Sequence, residues 1–98
     1  MTYTSINGYK YGRARLAYLK KHKPLLHMEL LTQGKLWTHL LEVQQAATER
    51  MERLTKQMAA AQRLTEELKE RDQMEWLGRM NNVRASAEEL VYREVICG

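Results

Sequence analysis

The sequence predicts an all-α protein: two short basic helices, then a long antiparallel αα-hairpin, coiled-coil-like and suited to dimerise into a helical bundle. Three observations lead there. Phe is absent, Pro occurs once, and Leu, Met, Ala, Glu, Gln, Lys and Arg dominate, which is the composition of long helices. Apolar residues recur at seven-residue spacing from Trp37 onward, the signature of a helix with one persistent seam. The chain has 98 residues, one domain at most, and a core that small gains from a second subunit.

Residues 1–12, "MTYTSINGYKYG", have no helical period and read as a flexible arm, with Asn7-Gly8 suited to a tight turn. Residues 13–34 form a basic two-helix segment. Its first helix runs from about Arg13 to His22, with Leu16 and Leu19 inward. Lys23-Pro24 ends it, because the residue before proline is pushed out of helical geometry. Pro24 then opens the next helix, where its missing N–H costs nothing. That helix, "PLLHMELLTQ", is so rich in Leu and Met that it calls for burial on more than one side, and Gly34 caps its end.

Residues 35–98 make the hairpin. Trp37, Gln44, Met51 and Met58 are spaced by seven, as are Leu40, Ala47, Leu54 and Ala61, and the two sets sit three apart. A turn is expected at Gln62–Leu64, since Thr65 followed by Glu66 and Glu67 reads as an N-cap with acids in the first turn. The second helix then continues to about Ile96. One uninterrupted helix from 35 to 95 is the competing arrangement. The hairpin core is expected at Trp37, Leu40, Met51, Leu54 and Met58 on one arm and Trp76, Met80, Val83 and Leu90 on the other.

Within the second arm, Gly78 and the pair Asn81-Asn82 are poor helix formers. At about 100° per residue they fall opposite the apolar stripe, so they do not interrupt it. Gly78, Asn81, Asn82 and Ala85 thus form a small, polar back face, expected to contact either the N-terminal helices or a second subunit.

The formal net charge of +4 conceals an asymmetry. Up to residue 35 the chain holds seven bases against Glu29 alone, giving +6, and the remainder holds nine bases against eleven acids, giving −2. A basic module of this kind suits a polyanion. Arg13, Arg15, Lys20, Lys21, Lys23 and Lys35, interleaved with Tyr9, Tyr11 and Tyr18, are the candidate nucleic-acid contacts, since bases neutralise phosphates and tyrosines stack on bases or bond to the backbone. The helix at 24–33 carries no base and reads as a packing helix, so the first helix and the arm are the expected contact elements. His22, His27 and His39 lack ligand spacing and Cys97 lacks a partner, so neither a metal site, a cofactor nor a catalytic centre is expected. With no membrane-length apolar run and a lone cysteine, the expected location is the cytoplasm, with neither a membrane nor a small-molecule substrate as partner.

The blocks "LLTQGKLWTHLLEV", "ERMERL" and above all "DQMEWLGRMNNVRASAEELV" resemble the transposon-encoded TnpV family of Gram-positive mobile elements, over about residues 9–96. Two departures stand out: the Tyr-rich N-terminal segment is short here, and Arg63-Leu64 occupies a turn where family members often carry Gly. The resemblance implies an accessory protein of a mobile element, with no catalytic residues to carry over. It also implies, through a likeness suggested for small excisionases, DNA association that assists or regulates excision. The alternative is a helical interaction module that docks on a recombinase or another element-encoded protein without touching DNA.

Overall fold

The structure, a computed structural model, describes residues 9–98. The described residues are helical with no strand: α1 (Lys10–His22), α2 (Pro24–Thr32), α3 (Leu36–Ala61), α4 (Glu66–Arg71) and α5 (Gln73–Val91), closed by a π-helical turn at Tyr92–Ile96. α1 starts three residues before the expected Arg13, so Lys10–Gly12 belong to the helix and not to an arm; the expected Asn7-Gly8 turn lies outside the described residues.

The reason for the early start is a cap supplied from another helix. Tyr9 gives no side-chain cap. Instead, Gln44 of α3 accepts from the backbone N–H of Tyr11 (2.8 Å) and of Gly12 (3.0 Å), two of the donors that a helix start leaves without partners. Gln44 is thereby explained as the polar member of an otherwise apolar seam. Gly12 lets this approach happen, since a Cβ there would meet the Leu40 carbonyl oxygen at 3.0 Å.

Both α2 and α3 end in the same hydrogen-bonded motif. After α2, Lys35 N–H donates to Leu30 O and Gly34 N–H to Leu31 O, with Gly34 at φ 70°. After α3, Leu64 N–H donates to Ala59 O and Arg63 N–H to Ala60 O, with Arg63 at φ 56°. Arg63 thus stands in a left-handed conformation that glycine adopts without strain, and the chain turns there, which removes the uninterrupted 35–95 helix. Beyond the turn α5 returns along α3, and Arg50 pairs with Glu94 at 3.1 Å.

The second arm is not one helix from Thr65. It divides at Asp72, whose backbone (φ −148°, ψ 84°) leaves helical space and whose carboxylate accepts from Glu75 N–H at 3.1 Å. Thr65 does the same for Leu68 N–H at 3.2 Å, as expected. The helix then passes unbroken through Gly78, Asn81 and Asn82.

The core gathers Tyr11, Leu19, Leu40, Ala47, Leu54, Met80, Val83, Ala87, Val91 and Ile96. Of the expected hairpin core, Leu40, Leu54, Met80 and Val83 are buried, and Met51, Met58, Trp76 and Leu90 are half-buried. Trp37 is the exception: it is 58% exposed, because the start of α3 faces α1 and not α5, and its ring meets the edge of Tyr9 at 5.8 Å. α2 also departs from expectation. None of its residues is buried, and Leu25 is 84% exposed, since α2 touches only the ends of α1 and α3.

Candidate nucleic-acid interface

On α1 the helical period sorts the residues into two arcs. At about 100° per residue, Tyr11, Gly12, Arg15 and Leu19 share one arc of about 100°, and these are the buried residues. Arg13, Ala17, Lys20 and Lys21 share the opposite arc and are exposed. Lys23 and Lys35, also exposed, flank α2 at either end. Among the described residues none of Arg13, Lys20, Lys21, Lys23 and Lys35 takes part in an ion pair.

Arg15 departs from this set. It is 7% exposed, and its guanidinium points inward: Nη1 donates to Ile96 O (2.8 Å) and Gly98 O (3.1 Å), and Nε donates to His39 Nε2 (3.2 Å). The carbonyls at the end of the π-helical turn lack partners within their own helix, and a planar fork of donors matches them. Arg15 is therefore corrected from a phosphate contact to the residue that fastens α1 to the end of the chain. Lys23 Nζ adds a longer bond to Gly98 O at 3.3 Å. Because Arg15 donates to His39 Nε2, that nitrogen is the acceptor and the ring proton sits on Nδ1. Burial, and then the neighbouring Arg15 charge, push the His39 pKa below its ordinary value.

The tyrosines are also occupied. Tyr11 is buried, and its hydroxyl donates to Glu88 at 3.2 Å; burial first, then the Glu88 charge, raise its pKa. Lys10 pairs with the same Glu88 carboxylate, so hydrogen bonding raises the lysine and lowers the glutamate. Tyr18 lies against His22 at 5.0 Å between ring centroids. These rings build the fold instead of standing free as stacking platforms.

A small apolar groove of about 110 Å³ opens beside the basic arc. Gly12 and Leu40 line it together with Leu16, Trp37 and Leu41, and Arg13 stands at its edge. The proposed back face of α5 lies bare: Gly78, Asn81, Asn82 and Ala85 are all exposed, and nothing lies within 4 Å of where a Gly78 Cβ would be. The N-terminal helices, one of the two expected occupants, are thus not there; they sit on α3 and on the end of the chain. Among the described residues, no three of His, Cys, Asp and Glu come together, and no helix is long and apolar enough to cross a membrane.

The sequence marks the bases but not the roles of Gln44, Arg15 and Asp72, which cap α1, fasten it to the end of the chain and divide the second arm. Gln44 and Arg15 act across long sequence separations and leave no local signal. Asp72 does leave one, since Asp72-Gln73-Met74-Glu75 has the spacing of a capping box. No curated protein and no solved structure matches the chain. The family model described as transposon-encoded protein TnpV matches residues 3–96, so the chain belongs to the TnpV family of transposon-encoded proteins.

Proposed function

We propose that this transposon-encoded protein is an accessory factor that binds duplex DNA and assists or regulates movement of its element. The observation that carries the reading is the exposed basic arc Arg13, Lys20 and Lys21 on α1, extended by Lys23 and Lys35. None of the five is engaged in an ion pair among the described residues. Exposed bases on a rigid helix are suited to phosphate contacts, which position a protein on DNA without reading sequence. In this reading the two long arms act as a coiled-coil-like hairpin that dimerises, so that two basic arcs meet one duplex. No enzymatic step is part of it.

Fluorescence anisotropy with a labelled duplex tests the proposal. If all five bases engage phosphates, log K falls with log salt at a slope of about −4.5, roughly a 500-fold loss between about 50 and 200 mM salt. Absence of binding at the lower salt, or binding indifferent to Lys20→Glu with Lys21→Glu, refutes it.

A second reading is favoured by α2, where Leu25, Met28 and Leu31 are all exposed on a nine-residue helix. Such a stripe suits docking on a recombinase or another element-encoded protein. Co-purification with such a partner, lost on Leu25→Ser with Met28→Ser and unaffected by nuclease, distinguishes it from DNA binding.

A further inference from the structure

We propose that the groove between α1 and α3 is a socket for a second copy of this chain, which seats the acid-flanked Met74 of its partner. The inference deepens the dimer part of the reading above, does not depend on DNA binding, and in the dimer leaves Lys21, Lys23 and Lys35 as the bases for phosphate.

The dimensions of the groove select its occupant. At about 110 Å³ it is well below the roughly 300–1,000 Å³ of small-molecule pockets. It has room for one large side chain, as a hole between helices takes a knob. Its walls are apolar, and one of them is Trp37, left 58% exposed. The charge at its edge is positive: Arg13 lines it, and Lys20 lies two turns further along the same side of α1. A complementary partner therefore presents a large apolar side chain among acids.

The chain itself carries that complement. Met74, at the start of α5, is 78% exposed, and Leu77 beside it is 43% exposed. Residues 66–75 around this corner hold Glu66, Glu67, Glu70, Asp72 and Glu75 against Lys69 and Arg71, a net charge of −3; Glu75 is paired with Arg79 at 3.0 Å, so Glu66, Glu67, Glu70 and Asp72 are the acids left for a partner. Lys69 is drawn aside over the Trp76 ring at 4.8 Å. The exposed stripe on α2 carries Glu29 among its residues and opens as a broad, shallow face instead of a hole sized for one side chain.

One molecule cannot fill its own socket. The groove lies at the start of α3 and the acidic corner beyond its end, and the 26 residues of α3 span about 39 Å. Two copies lying side by side in opposite directions bring each corner to the other's groove. That arrangement is two-fold symmetric and closed, each contact being made twice. Exposed charges supply part of it, so added salt weakens it.

Analytical ultracentrifugation of the full chain over a concentration series tests the socket. The expected result is a dimer whose dissociation constant rises about tenfold or more from low to high salt, and again on Met74→Ala. Arg13→Glu with Lys20→Glu weakens self-association by a similar factor, as does Glu67→Lys with Glu70→Lys. An equimolar mixture of those two variants recovers the dimer, because each socket then meets a corner of opposite charge. All the substituted residues are exposed, the apolar lining of the groove stays unchanged, and circular dichroism confirms that each variant is folded. A dimer indifferent to Met74→Ala and to both charge reversals overturns the socket and leaves dimerisation standing. A chain monomeric throughout overturns both, and duplex binding by the Met74→Ala variant reads the DNA proposal separately.

Discussion

Replacing Arg15 by Met removes the fork that ties α1 to the end of the chain and keeps much of the side chain's apolar bulk. Three hydrogen bonds go: to Ile96 O at 2.8 Å, to Gly98 O at 3.1 Å and to His39 Nε2 at 3.2 Å. Bonds from a charged donor contribute about 1.5–3 kcal/mol each, and a buried carbonyl left without a donor costs a further 1–3 kcal/mol. Against this stands the relief of no longer burying a guanidinium, which offsets several kcal/mol. The net loss is about 2–4 kcal/mol, a large share of the roughly 5–15 kcal/mol available to a domain. At about 4–8 °C per kcal/mol for a chain this size, Tm falls by roughly 10–30 °C. Urea denaturation followed by circular dichroism measures the loss, with Lys21→Met as the exposed control expected within about 0.5 kcal/mol of wild type. Arg15→Lys keeps the charge but not the fork, so it recovers less than half of the stability. A loss below about 0.5 kcal/mol for Arg15→Met, with an unchanged denaturant slope, would refute the structural role assigned to the guanidinium.

Arg63→Gly relieves a left-handed backbone cost of about 1–2 kcal/mol at φ 56°, less about 0.5–1 kcal/mol for the added freedom of the unfolded chain, so a gain of about 0.5–1 kcal/mol is expected. A lower midpoint in denaturant would show that the arginine side chain compensates the strain. Asp72→Ala removes the cap on α5 and costs about 1 kcal/mol; a stabilised variant would instead mean that α4 and α5 fuse once the cap is gone. The His39 pKa is lowered in the fold, so the unfolded chain binds the extra proton first. Stability from neutral His39 is complete above the unfolded value near 6.5 and declines as pH falls below it toward the folded value. His39→Gln should flatten that decline below about pH 6.5, and denaturation curves with identical pH slopes for both proteins would contradict it. Glu88, lowered by Lys10, adds a loss of the same sign at more acid pH, below the usual glutamate value.

The elements were legible wherever the cause was local. Pro24 and Gly34 bound α2, Thr65 caps α4, and the seven-residue spacing of Leu40, Ala47 and Leu54 marks the buried line of α3. What pattern reading missed depends on contacts far apart in sequence. Arg15 and Lys20 are both bases on one helix, and only the position of Ile96, 81 residues away, decides that one is inside and the other out. Trp37 begins the heptad series yet stays exposed, since periodicity assigns a face to a helix but not the neighbour that covers it. The poor helix formers Asn81 and Asn82 leave α5 unbroken, as their place opposite the apolar stripe implies, while the unforeseen break lies nine residues before Asn81 at Asp72, where a carboxylate competes for backbone N–H groups.

α2 gives the molecule an uneven resistance to opening. With Leu25, Met28 and Leu31 facing water and no residue of its own buried, its unfolding releases little apolar surface that is not already wet. Its free energy of local opening is therefore small beside that of α3, whose Ala47 is fully buried. Amide exchange should run through Met28 to Gln33 while Ala47 and Leu54 are still protected. Whatever partner covers the stripe will slow that exchange first, so the helix that contributes least to the core is also the one whose amides report occupancy.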